Sequence, residues 1–206
     1  MSSEQPLYGP GRPLVLASGS PRRSELLLRL GVHFRVRVAG VDEDFEPGEP
    51  GQVAAGLALR KARAVHALEP DSVVVAADTV VVLDGAILNK PEDEPENAAF
   101  IRRLAGRWHE VFTGLAVITP TSEHTAFERT GVLFRELSDG EVAGYAASGE
   151  GLDKAGGYGI QERGMALVER LDGDYFNVVG LPVVRLVLLA REAGVELLDW
   201  AGGSRQ

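Results

Sequence analysis

The stretch Leu14-Val15-Leu16-Ala17-Ser18-Gly19-Ser20-Pro21-Arg22-Arg23-Ser24-Glu25-Leu26-Leu27-Leu28-Arg29-Leu30-Gly31 decides the fold class. Four apolar residues read as a short strand, Leu14–Ala17, and a turn of small residues follows. Ser20 then stands at an N-cap position and Pro21 at the first helical position, where a missing N–H costs nothing. The helix reads from Arg22 to about Leu30, with Leu26, Leu27 and Leu30 on its core side, and Gly31 ends it. Strand, tight turn and helix in that order open an α/β unit.

Outward from this unit the alternation continues. Phe34–Val38 alternates as a strand, and an acidic loop follows (Asp42, Glu43, Asp44, Glu46) with Pro47, Gly48, Pro50 and Gly51. Gln52–Leu68 is an alanine-rich helix. Val73–Ala77 is a nearly unbroken apolar run, the pattern of a strand buried on both faces. Asp84-Gly85 between Val80–Leu83 and Ala86–Leu88 is the strongest hairpin signal in the chain. A helix over Pro95–Leu104 leads to two long strands, Val111–Thr119 and Thr125–Phe134, with Glu123 in their connection. Ser138 and Glu141 form a capping box for another helix. A glycine-rich stretch, Gly149–Gly164, precedes a strand over Ala166–Leu171, and Pro182 opens a last helix to about Ala193. The organisation expected is a flexible leader over Met1–Pro13, one domain over residues 14–198, and a flexible tail from 199 to 206.

Bulk properties narrow the function. The 206 residues carry a net charge of -9, and there is no cysteine. Disulfides, thiolate catalysis and zinc-thiolate sites are therefore excluded, and a cytoplasmic protein is expected. No apolar run reaches the roughly 20 residues of a membrane span. A nucleic-acid partner would need an extended basic face, which a chain this acidic does not offer. Any anionic ligand must find its positive charge concentrated in a pocket.

Three motifs could hold such a pocket. Ser18-Gly19-Ser20-Pro21-Arg22-Arg23 puts two arginines at the positive end of a helix, where cations are disfavoured unless an anion sits among them. Arginines turned to solvent, or paired with carboxylates, remain equally open. Asp78, after Ala76-Ala77 and before Thr79, is read at the end of the buried strand, a place where a carboxylate can orient water or hold a metal. A capping turn Asp is the plainer alternative, but Lys61 and Lys90 lie nearby in sequence. Gly156-Gly157-Tyr158-Gly159-Ile160-Gln161 allows close backbone approach, and the Gln161 amide could read a base or a phosphate. The common nucleotide fingerprints and the nucleophile elbow are missing. The four histidines show no metal spacing, and His109 reads as structural.

Taken together these motifs resemble the Maf family. Leu16 to Arg23 matches its opening signature. Ala77-Asp78-Thr79, Lys90-Pro91, Leu104 to His109 with Thr113-Gly114, Leu152 to Gln161 and Asp172 to Pro182 follow in family order. The resemblance implies a mixed twisted sheet flanked by helices, like that of inosine triphosphate pyrophosphatases, with two lobes around a central cleft, and a homodimer. It implies metal-dependent cleavage of nucleoside triphosphates between the α- and β-phosphates, with Mg²⁺ or Mn²⁺. Asp78 would accept the proton and touch the metal. Arg22, Thr79 and Gln161 would govern substrate choice, and Lys61 and Lys90 would hold phosphate. Ser18, Ser20 and Arg23 belong to the phosphate-side turn, and Asp42 and Glu43 stand where the family places metal-side acids. Arg22 with Asp-Thr and Tyr-Gly-Ile-Gln is similar to the branch acting on dTTP and UTP. Glu162 and Leu104-Ala105-Gly106 depart from the family pattern. The family is also linked to inhibition of septum formation, so a nucleotide sensor that binds without cutting is the alternative.

Overall fold

A computed structural model describes residues 13–38, 40–41 and 48–198. Seven strands form one sheet: β1 (Leu14–Leu16), β2 (Arg35–Val36), β3 (Val73–Leu83), β4 (Ala86–Leu88), β5 (Trp108–Thr119), β6 (Ser122–Phe134) and β7 (Val168–Asp172). Among the described residues six α-helices accompany them: α1 (Pro21–Arg29), α2 (Pro50–His66), α3 (Glu94–Leu104), α4 (Asp139–Ala146), α5 (Tyr175–Val179) and α6 (Val183–Glu192). The strand order is β2-β1-β3-β5-β6-β7, with β4 also on β3. β1 runs parallel to both β2 and β3, whereas β4, β5, β6 and β7 pair antiparallel. The sheet is therefore mixed, with helices on its two faces.

β3 is the spine, and its strict alternation assigns a face to every side chain. Val74, Ala76, Val80 and Val82 point to the face covered by α2, against Ala54, Leu57, Ala58, Ala62 and Val65. Val73, Val75 and Ala77 point to the other face, against Leu26 and Leu27 of α1 and Leu186 and Leu189 of α6. Further along that face, Val81 and Leu83 meet Ile101 and Leu104 of α3 and Val142 of α4. The alanine richness of α2 has a cause. At Gly114 of β5 an added Cβ would lie 2.1 Å from the Ala54 carbonyl carbon, so helix backbone rests almost directly on sheet.

Several expectations need correction. β3 does not stop at Ala77 but continues through Asp78 and Thr79 to Leu83, because β5 pairs with it from Val74 to Val82. Phe34–Val38 supplies only the two-residue edge strand Arg35–Val36. Glu123 lies within β6 opposite Ile118, because β5 and β6 extend until Thr119 pairs with Ser122. The strand expected from Ala166 begins at Val168, and the turn after Gly173 forms α5. Ser20 occupies the N-cap, but its side chain makes no cap bond. By contrast the Asp84-Gly85 hairpin forms with both residues at positive φ, 53° and 78°, as a two-residue turn of this kind requires. The Ser138–Glu141 capping box is present. Pro13 is already tied to the sheet, since its carbonyl accepts from Val73 N at 3.1 Å. Residues 1–12 and 199–206, and with them most of the expected leader and the expected tail, lie outside the described residues.

His109 is structural. It is buried, Nε2 lies 2.7 Å from the Tyr158 hydroxyl, and its ring packs edge-on to Phe134 with centroids 5.0 Å apart. Burial lowers its pKa from 6.5 to about 4. Between those values the unfolded chain takes up a proton that the native protein refuses. Stability is therefore fully present above pH 6.5 and falls as pH drops toward 4, by about 3 kcal/mol from this group. Urea unfolding of the His109→Gln variant should lack that share of the slope over pH 6.5 to 4. An unchanged slope would show that the histidine is not the cause.

Candidate active site

The cleft follows from the strand register. On one edge of β3, β1 pairs with Val73–Val75 and β4 with Val81–Leu83, so residues 76–80 lie between the two partners. The sheet splits there, and a cavity of about 1130 Å³ fills the split. Asp78 and Thr79 form its floor. Alternation sends Asp78 to the α2 face and Thr79 to the face of α1 and α5, so a ligand in the split meets both.

On the α2 side, Lys61 donates from Nζ to Asp78 Oδ1. The two side chains are only 17% and 14% exposed. A carboxylate and an ammonium group this little exposed, inside a cleft, are not a surface ion pair. The sequence offered a capping turn Asp as the alternative, and the place of Asp78 inside β3, with Lys61 on its carboxylate, removes it.

On the other side stands the turn between β1 and α1. Ala17 N donates to Val75 O at 2.7 Å as the last ladder bond, after which Ser18, Gly19, Ser20 and the positive end of α1 face the cavity. Arg22 also lines it, with NH1 3.8 Å from Asp153 Oδ2 at the rim. Of the sequence alternatives for Arg22, the structure shows the pairing with a carboxylate. Arg23 has a different task. Its Nε donates to Gly180 O at 2.7 Å, NH1 to Ser18 Oγ at 3.0 Å, and NH2 to Thr79 Oγ1 at 3.1 Å. One planar guanidinium ties the turn, the spine strand and the α5–α6 junction together. A lysine has no fork to repeat this geometry. Arg23→Lys should cost about 2 kcal/mol of stability, measured by urea unfolding, and a variant as stable as the parent would refute the staple.

Lys90 and Gln161 complete the wall, together with Lys154. The loop carrying Gln161 is braced from beneath. Glu150 accepts from the backbone N–H groups of Arg163 (2.8 Å) and Gly164 (3.0 Å) and from the Tyr145 hydroxyl (3.1 Å). Tyr145 Oη in turn accepts from Gly159 N at 3.2 Å, and burial pushes its pKa up, which keeps the phenol protonated. Glu162 points away: it is exposed and does not line the cleft. Leu104, in the other departure from the family pattern, is fully buried in the core.

Among the described residues the cleft therefore gathers Arg22, Arg23, Lys61, Lys90 and Lys154 against the carboxylates of Asp78 and Asp153, in a chain of net charge -9. Such a concentration suits a polyanion. Asp42 and Glu43 lie outside the described residues. Sequence reasoning missed Thr113, Asn177 and Glu150, which touch the site from below. Thr113 and Asn177 stand within the motifs that resemble the family's, which was the signal for them; Glu150, in a turn, gave none.

The family model described as Maf-like protein matches residues 13–193. The chain belongs to the Maf family. It is 57% identical over 182 residues to a Maf relative from Deinococcus radiodurans named dTTP/UTP pyrophosphatase, covering 88% of this chain and 93% of that protein. It is 50% identical to a protein of the same name from Thermus thermophilus, over 96% of this chain and 99% of that one. Among solved structures, a nucleoside-triphosphatase / dITP/XTP pyrophosphatase from Mycobacterium abscessus is 18% identical with a TM-score of 0.42, covering 61% of this chain and 75% of that one. Of the motifs that resemble the family's, those around Ser18–Arg23, Asp78-Thr79, Lys90 and Asp153–Gln161 converge on the split in β3, whereas Leu104–His109 lies away from it. Among the described residues no helix is long and apolar enough to cross a membrane.

Proposed function

We propose that this chain hydrolyses nucleoside triphosphates, with dTTP and UTP as preferred substrates, to the monophosphate and pyrophosphate. The observation that carries the reading is the Asp78–Lys61 pair at the floor of a cationic cleft. The names of the relatives agree with it.

In this reading the triphosphate lies across the open edge of β3. Arg22 and Lys90 bind phosphate oxygens, and the Ser18–Ser20 turn offers backbone N–H groups at the positive end of α1. The arriving phosphates give Lys61 a second anionic partner and release one oxygen of Asp78. Asp78 then orients a water and takes its proton as the oxygen attacks the α-phosphorus. The bond from the α-phosphorus to its bridging oxygen breaks, and pyrophosphate leaves with the bonding pair. Fixed positive charge around the transferring group is the protein's main contribution in such chemistry. Gln161 and Thr79, on the α1 side, read the base.

The residues present fit a divalent cation that arrives with the nucleotide. Mg²⁺ is commonly held by one or two carboxylates plus substrate phosphates. Asp78 offers one carboxylate, and among the described residues no group of three His, Asp or Glu forms a cage. Asp78, with Asp42 and Glu43, would hold the ion, which would neutralise charge on the phosphate oxygens.

The test is a product assay with UTP and dTTP in the presence of Mg²⁺ or Mn²⁺. Equimolar monophosphate and pyrophosphate are expected. Release of inorganic phosphate instead, or tight binding with no product, would overturn the reading, the latter in favour of a nucleotide sensor.

A further inference from the structure

Beneath Thr79 the hydrogen bonds form a line whose protons can be assigned one by one. Arg23 NH2 has no lone pair, so it donates to Thr79 Oγ1 at 3.1 Å. The Asn177 carbonyl has no proton, so Thr113 Oγ1 donates to it at 2.9 Å. Thr113 has only one hydroxyl proton and has now used it. The 2.9 Å contact between the two threonine hydroxyls must then run from Thr79 to Thr113. Thr113 and Asn177 are completely buried, and side-chain bonds from Asn177 Nδ2 to Thr130 Oγ1 at 2.9 Å and to Val111 O at 3.0 Å fix the asparagine.

The consequence reaches the cleft. Thr79 is half-buried and lines the cavity on the α1 side. Its proton is turned down into the protein and one lone pair is taken by Arg23, so the other lone pair is all it has left to offer a ligand. A hydroxyl in that state accepts and does not donate. The N3 of cytosine is an acceptor too and finds no proton there. The N3–H of uracil or thymine is a donor and is welcomed.

We propose that Thr113, which cannot touch a ligand, is a positioning residue that sets base choice by fixing the direction of the Thr79 proton, so that the cleft selects an imide N–H. This inference rests on the pyrophosphatase reading and extends it to a mechanism of specificity.

The experiment compares kcat/KM for UTP and CTP in the unmodified protein, Thr113→Val and Thr113→Ser. Valine keeps the shape and removes the acceptor, leaving the Thr79 proton able to turn toward the ligand. The Asn177 carbonyl keeps its bond from Gly180 N at 3.0 Å, so the loss is local. The UTP-to-CTP ratio should fall at least about tenfold in Thr113→Val, through a gain with CTP, and stay at the parental value in Thr113→Ser. A merely structural role would lower both activities and leave their ratio alone. N3-methyl-UTP, tried on the unmodified protein, covers the case in which the valine variant fails to fold: it should be rejected as CTP is. An active Thr113→Val with the parental ratio, or N3-methyl-UTP cleaved as well as UTP, overturns the assignment while leaving the pyrophosphatase reading standing. If no triphosphate is cleaved by the unmodified protein, both fall.

Discussion

Asp78→Asn should lower turnover of UTP and dTTP by about 10²–10⁴-fold, the usual share of a general base, with the fold intact. Asparagine fits the same space on β3 and can still accept a bond from Lys61 through its amide oxygen, so the site keeps its shape. What it loses is the ability to take a proton from water. Lys61→Met should also be slow, because Lys61 orients the carboxylate at rest and meets phosphate during reaction. The two side chains touch and act as one device. The double variant should therefore be little worse than Asp78→Asn alone, as expected for groups that work as a unit. Steady-state pyrophosphate release measures all three, and circular dichroism checks the fold. Full activity in Asp78→Asn would remove Asp78 from the mechanism, and losses that multiplied in the double variant would separate the two roles.

Much of this site could be read before any coordinates. Local chemistry marked the turn at Ser18–Arg23, the Asp84-Gly85 hairpin and the Ser138–Glu141 box, because each depends on neighbours within a few residues. The convergence of Arg22, Lys61, Asp78, Lys90 and Gln161 on one cleft came from the family order of the motifs, and the structure brings all five together. The length of β3 was not legible. Asp78 and Thr79 interrupt an apolar run and so read as its end, yet they sit mid-strand where one edge of the sheet is open and polar side chains reach the cavity. Arg23 read as a residue of the phosphate-side turn; its tie to Gly180, 157 residues away, was not legible, since nothing local reveals it. The Thr79–Thr113–Asn177 line was hidden for the same reason: its last partners are 64 residues apart. α5 was masked by the Asp172-Gly173 turn signal, although Asp174 caps it by accepting from Phe176 N at 2.8 Å.

Gly114→Ala should be among the most damaging single-methyl changes outside the cleft. The added Cβ would lie 2.1 Å from the carbonyl carbon of Ala54 and 2.2 Å from both the Ala54 oxygen and the Ala55 nitrogen. All three atoms are helix backbone, so no rotamer change can relieve the clash and α2 must move off the sheet. Overpacking a core commonly costs about 1–3 kcal/mol, occasionally more, and an obstacle of rigid backbone belongs at the upper end. The displacement has a chemical consequence, because Gly114 pairs with Asp78 across β3 and β5 while α2 carries Lys61. Lifting α2 draws Lys61 away from Asp78, and a misplacement of about 1 Å can cost on the order of 10²-fold in rate. The variant should thus lose both stability, by urea unfolding, and turnover with UTP. Lowering the temperature should recover the folded fraction without recovering the rate. A folded Gly114→Ala protein with parental kcat would mean that the close approach of helix to sheet does not hold the catalytic pair in register.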